Sequence, residues 1–146
     1  MQNRKENEQT LNNLYQNAHV AMQSISDLLP EADDEMIKGE LEDQFNGYKK
    51  AINDISEYMK SNDITPKDIN PIKKLMLKTS IKMNAAKNFN RSHIAEMMIK
   101  GTVMGLTDIY RDLGEKEDVT DPKVEELARM LADLEETYEK RLKTYL

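Results

Sequence analysis

Apolar residues recur at three- and four-residue spacing in four separate segments of this chain, and that period admits helices and little else. The first segment carries Leu11, Leu14, Tyr15, Ala18, Met22, Ile25, Leu28 and Leu29 and is closed by Pro30. Asp33 or Asp34 then stands where a helix N-cap belongs. The second segment carries Met36, Leu41, Phe45, Tyr48, Ile52, Ile55 and Met59 and runs out in Ser61-Asn62-Asp63. The short connection between the two makes them neighbours running in opposite directions.

The third segment opens at Asn70-Pro71, with proline in the first turn where its missing N–H costs nothing. It extends towards Leu113, with Gly114 as a left-handed terminator. That length is roughly 60 Å at 1.5 Å per residue, against about 40 Å for the first two. Its stripe changes direction. Ile72, Leu75, Met76, Thr79 and Met83 share one face, while Ala95, Met98, Leu106 and Ile109 lie about 100° round from it. The change falls at Asn88-Phe89-Asn90-Arg91-Ser92, poor helix formers with a candidate N-cap at Ser92, so a kink or break is expected near residues 88–92. The fourth segment begins at Asp121-Pro122 and carries Val124, Leu127, Leu131, Leu134, Tyr138, Leu142 and Tyr145. The expected architecture is all-α: one antiparallel four-helix bundle domain over residues 1–146, with no sign of strands, repeats or a linker.

Composition narrows the function classes. Without cysteine there are no disulfides, thiolate metal sites or thiol nucleophiles, which suits a cytoplasmic protein. The first ten residues, MQNRKENEQT, lack the apolar core of a secretory signal. The most apolar run, Ile94 to Leu106, is too short to span a bilayer and includes Glu96 and Lys100, so no membrane partner is expected. A net charge of -6, no Trp and two Phe argue against nucleic acid, which calls for a basic stripe and stacking surfaces. Ten methionines point to flexible core filling or, alternatively, to an adaptable binding surface.

Polar residues on the apolar faces are where chemistry would reside in a bundle. Gln44 lies about 30° from the centre of its stripe, and Glu135 falls between Leu131 and Tyr138 in the fourth. His19 lies roughly 110° from the centre of the first stripe, and Glu40 is a margin residue of the second. A di-iron carboxylate site needs Glu-x-x-His on two helices, and here Gln16 precedes His19 and Asn90 precedes His93 at that spacing. His93-x-x-Glu96 has the reverse order and points towards the polar side with Lys100 and Arg111. Gln44 and Glu135 are therefore expected as buried, hydrogen-bonded pins of helix register. The alternative is a metal site drawn from His19, Gln44, Glu135, His93 and Glu96. No phosphate loop or nucleophile motif is present, so neither catalytic residues nor a cofactor are expected.

The segment Ser92-His93-Ile94-Ala95-Glu96-Met97-Met98-Ile99-Lys100-Gly101-Thr102-Val103-Met104-Gly105 holds two glycines four apart. Glycine costs about 1 kcal/mol in a helix interior, so the pair calls for a close neighbour. Ile94, Met97, Met98, Gly101 and Gly105 form the expected interface stripe, either for another helix of the chain or for a second copy in a homodimer, with the dimer preferred.

Leu14-Tyr15-Gln16-Asn17-Ala18, Gln44 with Tyr48, and SHIAEMMIKGTVMG together resemble small bacterial ferritin-like helical bundle proteins of uncharacterised function. The resemblance spans most of the chain and implies a ferritin-like bundle, but neither iron storage nor oxidase activity. Relatives of that kind carry a Glu where this chain has His19, so the departure weakens the case for an inherited metal shell. The leading expectation is a non-enzymatic structural or interaction bundle that dimerises and takes a helical protein partner. A divergent metal-binding bundle and a small-molecule pocket lined by Met and Tyr are the alternatives.

Overall fold

A computed structural model describes residues 2–67, 90–115 and 121–146. Among these the chain is all-helical, with four long helices: α1 (Gln2–Leu28), α2 (Glu35–Ser61), α3 (Arg91–Glu115) and α4 (Pro122–Lys143). Helix α1 starts earlier than its apolar stripe, because the polar run from Gln2 to Glu8 is rich in good helix formers. The helix stops at Leu28, where a 3-10 turn, Leu29–Glu31, takes up Pro30. Proline has no N–H to donate back along the helix, so the α-helix cannot run through it.

Of the two expected caps for α2, Asp34 is the one used. Its Oδ1 accepts the backbone N–H groups of Met36 at 3.0 Å and Ile37 at 3.1 Å. At the other end the N–H of Ile64 donates to the carbonyl of Met59 at 2.8 Å across Asp63, which sits at φ 57°. Aspartate is among the few residues that adopt this left-handed conformation readily. The chain then lies on α1: the Lys67 N–H donates to Asn12 Oδ1 at 2.8 Å, and the Lys67 carbonyl accepts from Gln16 Nε2 at 3.2 Å.

Helix α3 begins at Arg91, inside the stretch where a break was expected. The cap is Asn90 rather than Ser92: Asn90 Oδ1 accepts from the His93 N–H at 2.8 Å, and the Asn90 carbonyl from Ile94 at 3.1 Å. Asparagine leads the ranking of N-caps, and from position 90 it reaches the N3 N–H. The expected opening at Asn70-Pro71 and the face from Ile72 to Met83 lie outside the described residues. Gly114 does not terminate the helix. It lies inside α3, and no described glycine has a positive φ. Helix α4 starts as expected, with Asp121 accepting from the Lys123 N–H at 2.9 Å and Pro122 in the first turn.

The core is the apolar stripes turned inward: Leu11, Leu14, Ala18, Ile25, Ile37, Leu41, Ile55, Ile94, Ile109, Val124, Leu131 and Leu142 are all buried. Helix α1 packs chiefly on α2, and α3 on α4, while the seam between α1 and α3 is thinner. Ties between helix ends reinforce this arrangement. Arg91 pairs with Asp34 at 2.7 Å, and the Tyr58 hydroxyl donates to the Asp121 carboxylate. Methionine divides between roles: Met59 and Met98 are buried, whereas Met36 and Met104 stand out to solvent. No helix among the described residues is long and apolar enough to cross a membrane.

Candidate functional site

The thin seam between α1 and α3 opens as a cleft of about 550 Å³. Helix α1 lines it from Asn13 to Leu28 and α3 from His93 to Asp112, with Tyr48 of α2 and Glu135 of α4 reaching it from below. Two side-chain bonds hold its walls together at one end. Asn13 Nδ2 donates to Asp112 Oδ2 at 2.9 Å, and Asn17 Nδ2 to the Gly105 carbonyl at 2.9 Å.

Gly105 is the point where three helices meet. A β-carbon there would lie 2.8 Å from Glu135 Oε2 and 2.9 Å from Asn17 Oδ1, closer than packed side chains tolerate. The glycine therefore lets two acceptor oxygens, one from α4 and one from α1, converge beside the α3 backbone. Gly101, one turn earlier, faces open space. The two glycines thus play different parts, and the pair does not form one continuous notch within the chain. Of the rest of that expected stripe, Ile94 and Met98 are spent in the chain's own core, while Met97 is half-buried at the cleft.

Glu135 is 1% exposed, and its Oε2 has no hydrogen-bond partner. It is buried as expected, but the expected hydrogen bond on that oxygen is missing. The groups nearest that oxygen make other contacts: Asn17 turns its Oδ1 to the same side of Gly105 and donates from Nδ2 to the Gly105 carbonyl. Burial, reinforced by the negative charge of Asp108, raises its pKa from 4.5 to about 8, so it is largely protonated at neutral pH.

Tyr48 presents a second unmatched group. Its hydroxyl is buried without a partner at full hydrogen-bond geometry, and Thr102 lies beside it with its own proton donated to the Met98 carbonyl at 2.7 Å. Burial and the nearby Glu135 push the phenol well above its ordinary pKa. Its ring meets Tyr138 edge-on at 5.4 Å. Tyr138 in turn crosses α2 at Gly47, where any β-carbon would collide with the phenol oxygen.

The other expected site residues lie apart from this floor. Gln44 is fully buried and donates from Nε2 to Glu40 Oε2 at 3.1 Å, while its Oε1 lacks a partner. Both residues lie on α2, so this bond is local to one helix, and Gln44 is buried as expected without pinning the register of α2 against a neighbour. Glu40 also lies 3.7 Å from Arg141. His19 packs against the ring of Tyr15 at 4.4 Å. His93 and Glu96 line the cleft mouth, and Glu96 pairs with Lys100 at 3.1 Å rather than with His93. Among the described residues, no three His, Asp or Glu side chains gather as metal ligands.

The sequence singled out neither Asn17 nor Asp108, and it placed Tyr48 as a core residue. Their part in the cleft depends on which helices become neighbours. Gly47 offered the one available signal, a glycine in the interior of a strongly amphipathic helix. Comparison with protein-family models, with curated proteins and with solved structures finds no match to this chain.

Proposed function

We propose that the chain is a non-enzymatic binding protein, an antiparallel bundle of ferritin-like type that holds a small organic molecule between α1 and α3. One observation carries this reading: Glu135, with Tyr48 close by, brings to the cleft floor a buried carboxyl oxygen that no group among the described residues satisfies. An unsatisfied buried polar group costs about 1–3 kcal/mol, and a ligand that supplies the missing partners recovers it. The cleft volume of about 550 Å³ lies in the range of small-molecule sites. Its walls, with Leu14, Val20, Ala21 and Met97 facing a few polar groups, have the mixed character of such sites. Among the described residues the lining offers hydrogen-bonding groups and apolar walls, and no nucleophile set beside an oriented base.

Ligand-observed NMR with small neutral, cationic and anionic fragments tests this. Saturable binding that is abolished by Ala21→Trp, which fills the cleft from α1, is the expected result. Fragments that bind the variant as well as the parent chain, or no binder at all, would overturn it.

A separate observation favours a second reading, the homodimer. Val103, Met104 and Tyr110 are large apolar side chains exposed on α3, and Met104 is 70% exposed beside the open Gly101. A second copy of the chain laid on this face would cover them.

A further inference from the structure

The chemistry of the cleft floor specifies the charge of its occupant. Glu135 lies on the inward stripe of α4, between Leu131 and Leu142, where an apolar residue would pack without penalty. It is nonetheless a carboxyl, and among the described residues no base pairs with it. Of the three bases that line the cleft, Lys100 is engaged with Glu96 at 3.1 Å and Arg111 with Asp108 at 3.3 Å, and His93 stands at the mouth. The α1 wall contributes Asn13, Gln16, Asn17 and Ser24 but no charged group. A buried carboxyl in such surroundings either keeps its proton or takes another cation.

We propose, building on the cleft reading above, that the α1–α3 cleft selects an organic cation. A primary ammonium sits against Glu135, and an apolar body lies along Leu14, Val20 and Met97. The acceptors are arranged for it: Glu135 Oε2 and Asn17 Oδ1 come together beside the Gly105 backbone, where no side chain separates them. Tyr48 supplies a third oxygen from the floor. A metal ion would need more oxygens, since Ca²⁺ takes about 6–8 ligands and the described residues offer no such group. An anion would meet a carboxyl backed by Asp108.

Binding then exchanges one cation for another. The Glu135 carboxylic acid loses its proton to solvent, the ammonium arrives already protonated, and the buried carboxylate is left paired with it. Below about pH 8, where Glu135 holds its proton, each binding event releases close to one proton. The titratable groups set around Glu135 are Asp108 with its partner Arg111 from α3, the un-ionised phenol of Tyr48 from α2 with Tyr138 beside it, and His93 at the cleft mouth.

Isothermal titration with 4-phenylbutylamine, 4-phenylbutanol and 4-phenylbutyrate provides the test, since the three share a body and differ in charge. The amine is expected to bind at least about tenfold tighter than the alcohol at pH 7, with the carboxylate weakest. In buffers of different ionisation enthalpy the amine should show release of about one proton, and its affinity should rise about tenfold from pH 6 to 7 and level off above 8. Glu135→Gln keeps the shape of the side chain and should erase the preference for the amine while retaining alcohol binding. An alcohol that binds as tightly as the amine, or a preference that survives in Glu135→Gln, would overturn the inference and leave the cleft reading standing. If none of the three binds the parent chain, both fail.

Discussion

Glu135 is the residue whose environment has the largest measurable consequence. With its pKa raised to about 8, it is neutral in folded and unfolded chains alike below about pH 4.5, so no penalty arises there. Between these values the unfolded chain ionises while the folded chain holds its proton, and stability falls as pH rises. Above about 8 the loss is complete, on the order of 3–5 kcal/mol at about 1.4 kcal/mol per pKa unit. Glu135→Gln lacks this term. Urea melts at pH 5 and pH 9 should therefore show the variant losing less stability across the interval than the parent chain, and equal losses would place Glu135 in water. The glycines make a second contrast. Gly101 has open space around it, so Gly101→Ala should stabilise α3 by about 0.5–1 kcal/mol. At Gly47 the added carbon would meet the Tyr138 hydroxyl, and Gly47→Ala should cost about 1–3 kcal/mol, partly recovered in combination with Tyr138→Phe. Thermal melts of the three variants and the double variant test both halves.

At the scale of the elements, helix starts were legible in the sequence where a proline or an aspartate carries the signal locally. Asp34 and Asp121-Pro122 are of this kind, because a cap bonds to N–H groups two or three residues ahead and asks nothing of the rest of the fold. Asn90 was harder to see, since Ser92 two residues later competes for the role and both are accepted N-caps. With Asn90 chosen, Asn90→Ala should cost about 1 kcal/mol and speed amide exchange at His93, whose N–H loses its acceptor. Ser92→Ala should leave that exchange unchanged. Gly114 shows the opposite failure: a glycine near the end of a stripe suggested a left-handed stop, but the helix continues through it to Glu115. The polar first turns of α1 were missed because no cap or apolar period marks them; good helix formers and an ion pair between Arg4 and Glu8 at 3.7 Å support them instead.

For the whole molecule, the dimer reading and the cleft reading separate cleanly by surface. Val103 and Tyr110 are exposed and lie outside the cleft lining, while Glu135 and Tyr48 are buried. Val103→Glu places a charge on the exposed face and should shift a dimer to a folded monomer in sedimentation, at unchanged helical content. A dimer that survives this substitution would assign the contact to another face. The sequence by itself determined the helical class, the four apolar stripes, the burial of Gln44 and Glu135, and most of the boundaries. These follow from spacing and capping, which act over a few residues of one helix. The tertiary structure alone decided that Gly105 and Gly101 differ, that Asn17 donates from Nδ2 to the Gly105 carbonyl, and that Glu135 meets no cation among the described residues. The physical reason is that satisfying a buried polar atom depends on which groups from other helices arrive within about 3 Å of it. A wheel drawn for one helix can show that a side chain points inward, but not what it meets there.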